Sequence, residues 1–207
     1  MTQTLPYNFG ALAPELAAWD HAKVAVLPVP YDSTSASPGS RHGPSAIINA
    51  SRSLELFDEE LLVDVANAVG ICTLEELEPD MRGPEPMVAE CLEAAHAVVS
   101  GGKFLFTLGG EGTSCLGSLK AVAEKHPKLT VLHFDAHLDL RAEYQGSPLH
   151  HMCVMHHVHH ALGLHLVQVG PRAFAEEEYR YAESRGLRPF FARDTVGRYD
   201  FVDRLVG

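Results

Sequence analysis

Along this chain, short apolar runs alternate with longer segments whose apolar residues recur at helical spacing. Val24–Val29 (VAVLPV) is apolar throughout, as a strand buried on both faces requires. Further strands are predicted at 68–73 (AVGICT), 104–108 (FLFTL), 129–134 (LTVLHF), 164–169 (LHLVQV) and 187–192 (LRPFFA). Helices are predicted over 43–57, 84–100, 113–126, 151–162 and 175–185. Pro44 suits a first helical turn, Gly101-Gly102 and Gly186 are stop signals, and Pro127 cannot continue a helix. Strand–helix alternation of this kind builds βαβ units. The fold class it predicts is α/β, a three-layer αβα arrangement around a mostly parallel sheet. No Pro/Gly-rich break and no internal repeat divides residues 1–207, so a single domain is predicted. In such sheets ligands bind at the carboxyl ends of the strands, which directs attention to the loops after Leu108, Phe134 and Val169.

The formal net charge is -11. Such a chain repels phosphate backbones, so nucleic acid is excluded as a partner, while a cationic substrate is compatible. The same acidity also serves solubility alone. Cys72, Cys91, Cys115 and Cys153 form no CxxC pair and sit in or beside apolar runs, which predicts buried thiols in a reducing compartment. The first 23 residues lack the basic start and apolar run of a signal peptide, and no stretch is long enough to span a bilayer. A cytoplasmic protein with no membrane partner is expected.

The informative stretch is 130–140, TVLHFDAHLDL. An apolar strand runs into Asp135, His137 and Asp139. Two carboxylates so close repel each other, and one would have its pKa raised unless a cation stood between them. Oxygen plus imidazole ligation suits manganese or a similar ion, and the lack of thiolate argues against structural zinc. By spacing alone, a solvated turn fits these residues equally well.

Several segments together resemble the ureohydrolases, the family of arginases, agmatinases and formiminoglutamases. FDAHLD resembles the family's central metal signature. Leu108-Gly109-Gly110-Glu111 resembles its glycine-rich loop. Pro30-Tyr31-Asp32-Ser33 and the segment from Pro38 to Pro44 resemble its N-terminal loops, and Glu143 to His151 looks like the agmatinase form of its substrate loop. The resemblance implies an arginase-like fold and Mn2+-dependent hydrolysis of a linear guanidino compound such as agmatine to urea and an amine, a step of polyamine metabolism and putrescine biosynthesis. It implies two Mn2+ ions, with Asp135 bridging them, His137 on one and Asp139 on the other. It implies His151 as the proton shuttle, a role suited to a group titrating near neutrality. A homo-oligomer is expected.

The sequence departs from that pattern in two places. Gly112 stands where the family has its first metal-binding His, and a glycine has no side chain to donate. Glu111 beside it is expected to support the ligands from behind. The family's later Asp-x-Asp-x-x-Asp-Pro segment does not occur before Gly207; Asp194, Asp200 and Asp203 lack that spacing. The C-terminal part of the domain is thus expected to be missing, as in a gene fragment, a frameshifted product or a diverged remnant, with an apolar edge or face left open. Since disturbing even a group behind the ligands costs ~10–100-fold in metal affinity or activity, one ion or none is expected. This leaves an agmatinase-like enzyme with a degraded metal site, weak or inactive alone, or a catalytically inactive subunit or scaffold of the same fold. A third alternative is metal sequestration by the histidines of residues 150–160, where His156 and His160 share a helical face.

Overall fold

The computed structural model describes residues 6–35 and 38–206. The first five residues, which belong to the segment lacking a signal-peptide pattern, lie outside them. The fold divides into two compact units, Met1–Val122 and Ala123–Gly207.

The first unit is built on a parallel sheet. Strand β1 (Val24–Val29) lies between β2 (Ile71–Thr73) and β3 (Phe104–Gly109). Its register against β3 runs from Val24↔Phe104 to Val29↔Gly109. The central strand is apolar at every position because both of its faces are covered. Leu27 and Val29 pack with Met87, Cys91 and Ala95 of helix α2 (Pro84–Ser100). Val26, one residue out of phase, packs with Ile48 of helix α1 (Gly43–Ser51) on the other side. Helix α3 (Leu116–Lys125) adds Ala121 to the first of these cores.

Two elements differ from expectation here. The helix predicted over 43–57 ends at Ser51, because Leu54 and Phe57 beyond it are more than half exposed and offer no buried face. Phe57–Asp58 instead pairs with Val63–Asp64 in a small antiparallel hairpin, its turn held by Asp58 accepting from the amides of Glu60 and Leu61. The run 68–73 begins as a short helix, Val65–Val69, and becomes strand only at Ile71. Gly70 makes that change with φ 61°, and a Cβ there would lie 3.0 Å from the Ala22 Cα.

Asp32 organises the loop after β1. Its buried carboxylate accepts from the amides of Gly39 (2.7 Å) and Arg41 (3.1 Å) and from the Arg41 guanidinium. The Arg41 hydrogen bond foremost holds its pKa at about 2. Removing one partner of a buried pair costs ~3–5 kcal/mol, less where the other partner is partly wet, as Arg41 is. Asp32→Ala is therefore expected to lower the unfolding free energy by roughly 2–3 kcal/mol at pH 7. The contribution is complete above an ordinary carboxylate pKa of about 4 and is lost as pH falls towards about 2. Urea denaturation at both ends of that window checks this: the two proteins should differ at pH 7 and converge in acid.

In the second unit, β4 (Thr130–Phe134) pairs in parallel with β5 (His165–Val169), in register from Thr130↔His165 to Phe134↔Val169. The predicted helix over 151–162 is three short turns in succession: a 3-10 turn at His151–Cys153, an α turn at Val154–His156 and a π turn at His157–Ala161. Helix α4 (Glu176–Ser184) follows β5, and Gly186 beyond it takes φ 70°, as a helix stop should. The strand predicted at 187–192 does not form. Only Phe190 bridges to Val169, and Ala192–Thr195 is already helical. Pro189 has no amide to donate, which limits the pairing to the two bonds around Phe190.

Apolar strand faces stand open in each unit: Phe104 and Phe106 in the first, Leu132 and Phe134 in the second. All four cysteines are free; Cys72, Cys91 and Cys153 are buried and Cys115 is partly so. Burial pushes the Cys153 thiol up to about 11, an inert state. Among the described residues no helix is long and apolar enough to cross a membrane.

Candidate metal centre

The centre is built where β4 ends. Alternation along the strand buries Val131 and half-buries His133 while Leu132 and Phe134 face outward. Asp135 extends the pairing by one residue, its amide donating to Val169 O at 3.2 Å. There the chain turns. Asp135 Oδ1 accepts from the His137 amide at 2.7 Å, closing a short Asx turn. Leu138 and Leu140 are fully buried and anchor the loop on either side of Asp139. The Asp139 carbonyl accepts from the amides of Met155 and His156, both at 3.0 Å, and the Leu140 amide donates to Glu178 Oε1 at 3.1 Å. Glu178 also takes the Ala175 amide at 2.7 Å, so helix α4 buttresses the loop.

Held this way, Asp139 has φ 52°, a left-handed backbone that non-glycine residues rarely adopt. Its carboxyl is pushed up to about 7, first by burial and then by the nearby Asp135. Among the described residues no hydrogen bond or ion pair reaches it. His133, Asp135 and Asp139 each offer a ligand atom, and these atoms lie within 4.8 Å of one another. A strained, half-buried carboxylate with no partner, beside a second carboxylate, is an arrangement that a divalent cation relieves. Two carboxylates and an imidazole are donors suited to Mn2+ and related ions. The residues present fit such an ion.

Of the residues singled out from the sequence, Asp135 and Asp139 stand together. His137 touches Asp135, Nδ1 to Oδ1 at 3.0 Å, but its side chain is 61% exposed and its nitrogens lie outside the compact group. His151 sits in its 3-10 turn with its ring against that of His150, centroids 4.3 Å apart. Glu111 belongs to the other unit. It precedes the turn Gly112–Cys115 and accepts from the amide and hydroxyl of Thr34, at 3.1 and 2.6 Å. Gly112, with no side chain, opens that turn.

His133 is the residue that sequence reasoning missed. Its signal was available: in a strand, residues two apart share a face, so an Asp at 135 has a neighbour at 133. Its Nε2 lies 3.7 Å from Asp135 Oδ2, and its Nδ1 lies 3.1 Å from Gln168 Nε2 on β5. Burial lowers its pKa and so favours the neutral ring.

The model of the arginase family matches residues 22–202. The N(1)-aminopropylagmatine ureohydrolase of Synechocystis sp. is 31% identical over 92% of this chain and 64% of its own length. The agmatinase of Bacillus subtilis is 33% identical over 82% of this chain and 59% of its own. The crystal structure of the agmatine ureohydrolase of Thermoplasma volcanium superposes with a TM-score of 0.82 at 26% identity, covering 97% of this chain and 66% of that one. The chain thus spans about three fifths of the length of the curated relatives it matches. A family match across 22–202, with the strand-end Asp135 and Asp139 set together, places the assignment beyond a short motif: the chain belongs to the arginase family.

Proposed function

We propose that this chain carries the agmatinase-like part of a Mn2+-dependent hydrolase of guanidino compounds, agmatine or a near relative, and that by itself it holds one ion. The observation that carries this is the convergence of His133, Asp135 and Asp139 at the carboxyl end of β4. The relatives named agmatinase and aminopropylagmatine ureohydrolase supply the substrate class. When bound, a divalent ion lowers the pKa of water and so supplies a nucleophile at neutral pH. Asp135 and Asp139 hold the ion, with one imidazole from the same strand end. Their charge also favours a guanidinium nearby. His151 accepts and returns a proton, and Gly112 supplies nothing for a second ion.

Calorimetric titration with Mn2+ tests the proposal. One site is expected; no binding, or two tight sites, would defeat it. Because the Asp139 carboxyl titrates at about 7, the ion must displace a proton from it below that pH. Apparent affinity is expected to fall about tenfold per pH unit below 7 and to level off above. A pH-independent affinity between 5 and 7 would contradict this role for Asp139.

Gly112 favours a second reading, in which the chain binds its ion but does not turn over. Urea release from agmatine by the Mn2+-loaded chain separates the two. Release by this chain alone defeats the non-catalytic reading.

A further inference from the structure

The second unit carries a groove of about 670 Å3 that the metal centre does not use. It runs along the first half of β5, past His165, Leu166 and Val167, whereas the centre lies beyond the other end of the paired strands. Its volume suits a small-molecule ligand. Arg185, Arg188 and Arg204 line it, and among the described residues no carboxylate does. In a chain of net charge -11 this is a local reversal of sign. Elsewhere in the same unit arginines are paired: Arg141 with Glu177, Arg180 with Glu176 and Arg193 with Asp194. Among the described residues no ion pair reaches the three arginines of the groove. Glu183 lines an adjoining recess with Arg188 and Arg204, where it accepts from the Tyr179 hydroxyl.

Arg185 closes α4, and the helix dipole alone accounts for a cation there. It does not account for Arg188, nor for Arg204, which comes from the separate short helix Val202–Val206. The backbone between the first two is firmly set. Leu187 donates its amide to Ala182 O at 2.9 Å and Gly186 to Glu183 O at 3.1 Å, the paired bonds of a Schellman turn. Pro189 follows, and Phe190 is tied down on one side, its amide donating to Gln168 O and its carbonyl accepting from Gly170, both at 2.8 Å. Arg185 lies over the Tyr181 ring and Arg204 over the Phe190 ring, each 5.6 Å from the centroid. A guanidinium stacked on a ring keeps N–H donors in its own plane for a further partner. Arginine forks match phosphate oxygens, and several of them around one groove match a ligand with several charges.

We infer that this groove binds an oligophosphate, inorganic or the phosphate chain of a nucleotide, between Arg185, Arg188 and Arg204. The site stands independently of the ion-binding proposal. Leu166 and Leu205 beside the arginines give an apolar wall that a nucleoside would cover. A guanidino compound, itself a cation, is repelled here.

Calorimetric titration of the full chain with inorganic triphosphate, in metal-free buffer so that the metal centre takes no part, tests this. One site with a Kd below about 1 mM is expected, and inorganic monophosphate should bind about tenfold more weakly. Arg185→Gln, Arg188→Gln and Arg204→Gln should each weaken triphosphate binding by roughly three- to tenfold, and the triple variant should abolish it. Arg180→Gln and Arg193→Gln change the charge equally outside the groove and should leave binding unaltered. Raising the ionic strength from about 0.1 M to about 1 M shortens the screening length from ~10 to ~3 Å and should weaken binding by about tenfold or more. ATP bound more tightly than triphosphate assigns the apolar wall to a nucleoside, and equal affinity assigns the groove to the phosphate chain alone; both uphold the inference. No binding at about 1 mM triphosphate, monophosphate bound as tightly, or equal losses in the variants outside the groove would overturn it. The three side chains are exposed, so urea midpoints should not move, and a lost signal then reports lost binding.

Discussion

Asp139→Asn is expected to stabilise the metal-free protein at pH 8 while removing its ability to bind Mn2+. The two effects share one cause. In the unfolded chain this carboxyl titrates near 4, and in the folded chain at about 7, because burial and Asp135 oppose its charge. Between those values the folded state keeps a proton that the unfolded state has lost, so wild-type stability falls as pH rises through the window and is lowest above 7. Three pKa units set a ceiling of about 4 kcal/mol, and partial exposure of the group brings the expected difference to about 2. Asparagine has no charge to bury. It also tolerates a backbone at φ 52° better than other residues, so the turn should survive. Wild type and variant should coincide near pH 4 and diverge as pH rises. Saturating Mn2+ should then restore the wild type by roughly 3 kcal/mol at a hundredfold excess over Kd and leave the variant unchanged. Thermal or urea unfolding with and without Mn2+ measures all four states. A variant less stable than wild type at pH 8 without metal would show that the Asp139 charge is compensated in a way the structure does not contain.

How far the sequence could lead differs between residues for physical reasons. The strand Val24–Val29 and the helix Pro84–Ser100 were legible to the residue, since an unbroken apolar run and a helical stripe bounded by Pro84 and Gly101 leave few alternatives. Asp135 and Asp139 were legible from their motif and their place after a strand. The place of His133, two residues before Asp135 on the same strand face, was there to be read; its contact with Gln168 was not, because Gln168 lies 35 residues away and comes alongside only through the pairing of β4 with β5. Nor was the left-handed turn at Asp139, which buried Leu138 and Leu140 impose from both sides. The failed strand at 187–192 carried its own warning in Pro189. Gly117, read as an ordinary helix residue, sits where α3 crosses α2: a Cβ there would lie 2.5 Å from the Leu92 amide nitrogen. No local pattern announces an approach of that kind.

Gly110→Ala is expected to be among the most damaging single-methyl changes in the first unit. The Cβ it introduces would stand 2.3 Å from the carbonyl oxygen of Tyr31 and 3.0 Å from its carbonyl carbon. Both are backbone atoms, so no side chain can swing aside. Relief requires the loop after β3 to lift from the loop after β1. That motion breaks two hydrogen bonds, Gly110 N to Val29 O at 3.1 Å and Glu111 N to Tyr31 O at 2.9 Å. It also disturbs the packing of Tyr31, which is fully buried against Met87 and Cys91 of α2. Two such bonds contribute about 1 kcal/mol each and overpacking costs ~1–3 more, against a gain of under 1 kcal/mol from replacing a glycine. The net loss should be about 3 kcal/mol, seen as a lower urea midpoint with an unchanged m-value. A methyl group at Gly146 would meet no atom within 4 Å, so Gly146→Ala should suffer only from its φ of 80°. If Gly110→Ala unfolds at the same urea concentration as wild type, the close approach of the two loops is looser in solution than 2.3 Å implies, and the glycine in this family loop owes its place to something other than space.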